Sequence, residues 1–277
     1  MISGKTTLIA HVGWPTESFK APLIYNPWFE QRGIDAVVVP MGCRADDYPV
    51  FFRALFRLTN VRGALVTMPH KVTTVGLVDA VTPTVAIAGS CNAVLLRPDG
   101  TLLGDMFDGE GFVRGLKRKG FAVAGARCLV VGTGGVGSAI AASLAKAGAG
   151  ALALNDVDAA AAEALAGRLR EHYPALDVHV AGNDPAGYGL VVNGTPLGMK
   201  AGDPLPFDPA RLAADAFVGE VVMKKEITPL LEAARARGCR YQVGTDMLFE
   251  MIPAYLEFFG YGTATPDELR AVAHVTY

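Results

Sequence analysis

Arg127-Cys128-Leu129-Val130-Val131-Gly132-Thr133-Gly134-Gly135-Val136-Gly137-Ser138-Ala139 is the stretch from which the fold is read. Leu129 to Val131 is a short apolar run, as a parallel strand buried on both faces requires. Gly132, Gly134 and Gly137 follow with G-x-G-x-x-G spacing. The first permits a sharp turn, the second lets the backbone approach a pyrophosphate, and the third lets a helix close on the strand. The helix N-terminus would add unpaired N–H groups and a partial positive charge. Glycine-rich turns that serve packing alone are common, so the spacing by itself decides little. Here an Ala-rich helix (Ser138 to Ala147), a second strand (Ala151 to Asn155) and an acid, Asp156, follow in order. Asp156 lies near the distance at which a carboxylate accepts from the adenine ribose. The succession marks a nucleotide site.

A chain of 277 residues is long enough for two domains with separate cores. Its net charge of −2 lacks the basic excess that a nucleic acid or a membrane surface would demand. Cys43, Cys91, Cys128 and Cys239 are scattered with no C-x-x-C pair, and His11, His172, His179 and His274 show no metal spacing. Neither a disulfide framework nor a metal site is expected, and a reducing compartment fits. Met1 to Val12 lacks a long apolar core of the secretory kind, and no apolar run approaches the length of a membrane span. The expectation is a cytoplasmic protein with a small-molecule partner, no nucleic acid and no membrane, and a homodimer as the candidate assembly. Gly4-Lys5-Thr6 imitates the end of a P-loop, but the upstream glycine and strand are missing.

Upstream of the glycine turn, strands are expected at Leu8–Val12, at Ala36–Val39 (ended by Pro40) and at Ala64–Val66. Helices alternate with them, at Pro22–Arg32 with Gly33 as its stop, and at Pro49–Leu58 with Phe52, Leu55 and Phe56 inward. Pro98-Asp99-Gly100 reads as a hairpin turn between Ala93–Leu96 and Thr101–Leu103. A helix from Gly111 to Lys119 leads into the glycine-turn strand. Beyond it come a helix at Ala159–His172 and strands near Val178, Leu190–Val192, Val218–Val222 and Tyr241–Val243. Thr228 caps a helix with Pro229 at its first position. A helix at Asp246–Phe259 and another opened by the capping box Thr265-Pro266-Asp267-Glu268 close the chain. The fold class expected is α/β. An N-terminal α/β substrate domain (1–108, completed by 246–277) accompanies a Rossmann-type doubly wound dinucleotide-binding domain (109–245), and the C-terminal helices return to the first.

Three N-terminal loops carry polar residues suited to a dehydrogenase: Gly63-Ala64-Leu65-Val66-Thr67-Met68-Pro69-His70-Lys71, Gly89-Ser90-Cys91-Asn92-Ala93, and Gly104-Asp105-Met106-Phe107-Asp108-Gly109-Glu110-Gly111. With these the sequence resembles the shikimate/quinate dehydrogenase family, whose motifs read G-x-N-V-T-x-P-x-K, G-A-V-N-T and G-x-N-T-D-x-x-G. Gly13-x-Pro15 with Pro22 and Asn26, Asn193-Gly194-Thr195-Pro196-Leu197-Gly198-Met199, Thr228-Pro229-Leu230-Leu231 and Gly244-x-x-Met247-Leu248 extend the resemblance over nearly the whole chain. It implies that Lys71 and Asp108 form the catalytic pair of an NAD(P)-dependent dehydrogenase acting on CH–OH. Asn92 would bind a substrate hydroxyl and Thr67 the substrate's other polar end. Gly132, Gly134, Gly135, Val136, Gly137, Asn155, Asp156, Thr195, Met199 and Gly244 would meet the cofactor. The substrate is expected in the cleft between the domains.

Departures from the family pattern fall on the substrate side. Phe19 and Ala21 stand where two serines hold the substrate carboxylate, and Leu65 stands where an asparagine binds substrate. Met106 and Phe107 replace an Asn-Thr pair, Met223 a tyrosine and Met251 a glutamine. Burying a carboxylate against Phe and Met without donors is costly. The expected substrate is therefore a cyclic or less polar hydroxy compound other than shikimate. A local shift that lets Ser18 replace a lost serine is the alternative, and Lys20 is a further candidate for an anion. NADP users of the family carry Asn-Arg-Thr after the second nucleotide-domain strand, whereas here Asn155-Asp156-Val157-Asp158 places an acid there, so NAD is favoured over NADP. His70 is expected to face solvent, Cys91 to be a small buried residue, and Met199, Met223, Met247 and Met251 to form pocket wall and core. A dinucleotide-binding sensor that kept this fold and lost turnover is the competing reading.

Overall fold

The computed structural model describes residues 2–17 and 19–275, so Ser18 lies outside the described residues. Two compact units divide the chain. The first comprises the residues up to Phe107 together with those from Ile252 on, and the second runs from Asp108 to Met251.

In the first unit the elements are β1 (Thr7–Gly13), α1 (Pro22–Arg32), β2 (Ala36–Gly42), α2 (Tyr48–Leu55), β3 (Val61–Val66), α3 (Lys71–Val75), β4 (Ala80–Val81), α4 (Pro83–Ala88), β5 (Ala93–Leu96) and β6 (Leu102–Asp105). They build a mixed sheet in the order β2-β1-β3-β5-β6-β4. β1 runs parallel to both β2 and β3, while β5 is antiparallel to β3 and β6. Gly33 ends α1 at φ 65°, and Gly100 takes φ 84° in the β5–β6 turn, conformations that cost glycine least. β2 does not stop at Pro40 as the sequence suggests, because it is the edge strand. The Val38 N–H points outward and donates to Asn26 Oδ1 at 2.8 Å. Two residues on, the missing N–H of Pro40 falls on that same outer side, where no strand needs it. α2 ends at Leu55, earlier than its apolar spacing suggests, and leaves Phe56 half-buried.

Chain from the C-terminal end completes this unit. Helix α9 (Gly244–Phe259) brings Phe259 against Gly63, where any side chain would collide with the Phe259 ring and the Val94 carbonyl. Helix α10 (Pro266–Val272) has the expected capping box and packs on α1, with Arg32 on Glu268 at 2.6 Å.

The second unit is a parallel sheet in the order β12-β11-β10-β7-β8-β9. Its elements are α5 (Asp108–Arg118), β7 (Arg127–Val131), α6 (Gly135–Lys146), β8 (Ala151–Asn155), α7 (Ala159–His172), β9 (Asp177–Val180), β10 (Leu190–Asn193), β11 (Phe217–Glu220), α8 (Pro229–Ala236), β12 (Arg240–Gln242) and the first part of α9. Chain order reverses between β7 and β10, which makes the carboxyl ends of those strands the place where a doubly wound sheet opens a crevice. α5 packs on α6 through Gly109, against the backbone of Ala139, and on α9 through Gly111, against Met247 and Met251. Among the described residues no helix is long and apolar enough to cross a membrane.

The tightest approach is at Gly137, where a Cβ would overlap the Gly132 carbonyl oxygen. Backbone cannot yield there as a flexible side chain can. Gly137→Ala is expected to lower the unfolding free energy by about 3 kcal/mol or more. Urea titration followed by circular dichroism checks this, and an unchanged midpoint would contradict it.

Candidate active site

The turn after β7 is organised by hydrogen bonds from both neighbouring strands. Gly132 sits at φ 92° and donates to Asn155 O at 2.7 Å. Gly194 donates to Val131 O at 2.7 Å, so Gly194 and Thr195 lie against Gly132 from the β10 side. Ser138 Oγ donates back to Thr133 O at 2.7 Å and ties α6 to the turn. No side chain caps α6, and a Cβ built on Gly134 would meet nothing within 4 Å. The helix therefore ends in open space beside bare backbone, the shape and polarity that a pyrophosphate fits.

Asp156 closes this turn. Its Oδ2 accepts from Thr133 N at 2.6 Å and Thr133 Oγ1 at 2.9 Å, and its Oδ1 from Asp158 N at 3.0 Å. Burial works against its charge, but the donated hydrogen bonds outweigh that and hold the carboxyl below its usual range. Asn155 is held by donating to Ala181 O at 2.9 Å. On the β10 side, Asn193 Oδ1 accepts from Thr195 N and Oγ1, while its Nδ2 donates to Glu220 Oε1 at 2.9 Å. Glu220 is fully buried and also accepts from Val221 N, Val222 N and Thr228 Oγ1. The sequence reading passed over Glu220; its signal would have been an acid at the end of a buried strand. Gly244 lies against Val222 backbone with no room for a side chain. Gly135 is exposed and Val136 half-buried at the start of α6.

Three loops of the first unit converge through backbone. Cys91 N–H donates to Lys71 O at 2.8 Å, Val66 N–H to Asn92 O at 2.8 Å, and Asn92 N–H to Asp105 O at 3.0 Å. Asn92 is buried, and its Oδ1 accepts from Phe107 N at 2.9 Å. Thr67 N–H donates to Val12 O at 2.9 Å, which sets Thr67 beside Gly13. Phe107 packs on Tyr255 and Phe258 with ring centroids 4.9 and 5.3 Å away. Met106 is buried. Lys71 opens α3, and in the second unit the buried Asp108 opens α5.

Phe19 lies half-buried with its ring stacked on His11 at 4.1 Å. Ala21 serves backbone, its carbonyl accepting from Ile24 and Tyr25 at the start of α1. In the second unit Met251 is half-buried against Gly111, and Met247 is buried. Met199 and Met223 are not core, being 42 % and 44 % exposed. Met199 borders a depression of about 360 Å³ with Lys200, Lys224 and Lys225.

His70 is not at the surface, contrary to the sequence reading. It is buried in a flat stack on Tyr48, centroids 3.8 Å apart, and its Nε2 lies 2.8 Å from Cys43 O. A carbonyl only accepts, so Nε2 carries the proton. Cys91 donates from Sγ to Ala93 O at 3.1 Å, and burial pushes its thiol up to about 12, which suits a packing residue and no nucleophile. Among the described residues no group of three or more His, Cys, Asp or Glu side chains is placed to hold a metal.

One unit is a Rossmann sheet with an open glycine turn and the other a mixed sheet with Thr67, Lys71 and Asn92 on joined loops, which together define an α/β protein of the dinucleotide-dependent class. Comparison with known proteins is specific. Residues 12–94 match the family model for the shikimate dehydrogenase substrate binding domain, and residues 121–178 match that of the ThiF family. The shikimate dehydrogenase (NADP(+)) of Rhodospirillum rubrum is 35% identical over 279 residues, covering 98% of each chain. Shikimate 5-dehydrogenase from Listeria monocytogenes, solved with shikimate and NAD, is similar with a TM-score of 0.91 at 25% identity over 98% of this chain and 97% of that one. Quinate dehydrogenase from Corynebacterium glutamicum, solved with NAD, reaches 0.85 at 28% identity over 96% and 98%. The chain belongs to the shikimate/quinate dehydrogenase family of oxidoreductases.

His11, absent from the site residues singled out by sequence, is a buried polar side chain of β1. Burial first and the Lys71 ammonium second push its pKa down from 6.5 to about 4. With the folded value below the unfolded one, unfolding takes up a proton between them. Stability from this group is fully present above about pH 6.5 and is lost as pH falls toward 4, by about 2–3 kcal/mol at pH 4.5. Urea unfolding at pH 7 and 4.5 checks this: wild type should lose that much more than His11→Leu, and equal losses would contradict it.

Proposed function

We propose that this enzyme interconverts a cyclic alcohol and the corresponding ketone with a nicotinamide cofactor, that it uses NAD in preference to NADP, and that its substrate is not shikimate. The observation that carries the reading is a split in the chain's similarity. Lys71, Asp108, Asn92 and Thr67 stand at the family's motif positions, whereas Phe19, Ala21, Leu65, Met106 and Phe107 have removed polar side chains from the substrate end.

The cofactor, when bound, supplies or takes the hydride. The chain's own residues do the rest. The Lys71 ammonium polarises the substrate carbonyl and gives a proton to the oxygen as the alcohol forms, and takes it back in oxidation. The Asp108 carboxylate, in the role that the family resemblance implies, would orient the lysine and accept a hydrogen bond from a substrate hydroxyl. Since Asn92 Oδ1 accepts from Phe107 N–H, a substrate oxygen would be met by the amide's Nδ2–H. Phe19 and Ala21 of the first unit and Met223 and Met251 of the second would be the residues that meet the apolar remainder. The pyrophosphate would rest on the backbone of Gly134, Gly135, Val136 and Gly137, with Thr195, Met199 and Gly244 around the other end of the cofactor.

Cofactor choice rests on Asp156. Its carboxylate is fixed at the turn by Thr133 and Asp158, where it would accept from a free ribose 2′-hydroxyl and would repel a 2′-phosphate. Relatives such as the Rhodospirillum rubrum protein are named for NADP(+), while the Listeria and Corynebacterium structures hold NAD. Asp156→Arg is expected to shift the ratio of kcat/KM for NAD over NADP toward NADP by at least about tenfold; an unchanged ratio contradicts the assignment.

Initial rates of nicotinamide reduction over shikimate, quinate and a panel of cyclic alcohols test the reaction. One panel member should exceed shikimate, and Lys71→Ala should lower its kcat by about 10²–10⁴-fold at unchanged cofactor affinity. Efficient shikimate turnover would refute the substrate reading. NADH binding with no turnover of any compound would favour a sensor.

A further inference from the structure

β1 is an interior strand, and its polar residue at the carboxyl end faces the region from which polar side chains have gone. His11 is 9 % exposed, and its Nδ1 is buried without a hydrogen-bond partner. Buried polar atoms are almost always paired, because an orphan forfeits its hydration for nothing. An unpaired imidazole nitrogen therefore costs stability that some other use has to justify.

Its surroundings say what the use is. His11 is the register partner of Leu65 on β3, so the two side chains emerge on the same face. Gly13, two residues on, shares that face and abuts the Thr67 methyl and the Phe19 ring. Phe19 also stacks on the imidazole. Phe19, Ala21 and Leu65 offer no side-chain donor or acceptor, and each stands where the family pattern has a polar group. A carboxylate needs several donors to leave water, and one neutral nitrogen beside the Thr67 hydroxyl supplies fewer than it needs. A lone hydroxyl or carbonyl needs only one partner, and Nδ1 can donate or accept according to its tautomer.

We propose that His11 is the specificity-determining residue of this enzyme: its Nδ1 hydrogen-bonds an uncharged hydroxyl or carbonyl group of the substrate, at the end away from the reacting carbon. The inference rests on the oxidoreductase reading for what is bound, and on the geometry of β1 for where. It makes the enzyme select neutral ring compounds over their carboxylate counterparts, by the loss of one cradle and the gain of a single polar contact.

Shikimate and its methyl ester are the probes, differing in charge at one end. Calorimetric titration into wild type, His11→Leu and His11→Gln, with NADH present, gives affinities that need no turnover. Wild type should bind the ester at least about tenfold more tightly than the acid. His11→Leu should abolish that margin, and His11→Gln should restore part of it. Where the ester is turned over, KM should rise by more than about tenfold in His11→Leu, with a much smaller fall in kcat. The same variant should melt a few degrees higher than wild type, since it removes a buried orphan atom; a residue serving structure alone would melt lower. Ester binding that depends on His11 without oxidation of any compound supports this inference while refuting the proposed reaction. Turnover with unchanged ester affinity in His11→Leu overturns the inference and leaves the reaction standing. Tighter binding of the acid than the ester by wild type, or equal loss of both in a destabilised His11→Leu, also overturns it.

Discussion

The contact between Gly137 and the Gly132 carbonyl is the constraint on which the nucleotide half depends. With no side chain between them, α6 starts directly above the end of β7, and its first N–H groups point out past Gly134. Everything around the turn is built to keep that geometry. Ser138 bonds back to Thr133, Asp156 grips Thr133 from the β8 side, and Gly194 closes on Val131 from the β10 side. The buried Glu220 then fixes Asn193, and through it Thr195. A carboxylate so deep is tolerable because four donors share it; burial still drives its pKa upward. An anion site made of backbone thus depends on side chains one layer behind it.

In the substrate-side unit Asn92 has the corresponding place. Its main chain joins β3 to β6, and its amide oxygen holds Phe107. Lys71 is linked to the same loop through Cys91. These connections are backbone bonds and one amide, so they are indifferent to the change from polar to apolar residues at positions 19, 65, 106 and 107. That separation would let a family scaffold carry a pocket rebuilt in the way proposed. At His11 the imidazole is buried under the influence of the Lys71 ammonium with one nitrogen unpaired, a local cost in stability. Such a cost is what the proposed contact with substrate would account for.

Much of the fold was legible because its signals are local. The N-cap at Thr228 and the capping box at Thr265 are side chains bonding backbone three residues away, and both are present. Ala159–His172 has the bounds its composition implies, since Asp158 caps it. The Gly100 hairpin needed only a residue tolerant of positive φ. What escaped was tertiary. Pro40 reads as a strand end until β2 is seen to be an edge strand with Asn26 along its outer side. The short elements α3, β4 and α4, between two and six residues each, are below the length at which periodicity speaks. His70 looked like a loop residue because the Tyr48 ring and the Cys43 carbonyl that bury it come from other parts of the chain. In the candidate site, motif spacing pointed to Lys71, Asn92 and Thr67. His11 was hidden inside an apolar strand run, and only register against Leu65 and the stack on Phe19 distinguish it.

The account stands on one chemical claim, that the chain moves hydride between a nicotinamide and a ring carbon. NADH deuterated at C4, in both stereochemical forms, incubated with the protein and a panel of neutral cyclic ketones, tests it by mass spectrometry and NMR of the alcohols formed. The account predicts one deuterium at the new carbinol carbon, from one of the two forms only. Alcohol formed without label from either form, or bound NADH that reduces no ketone, would contradict it.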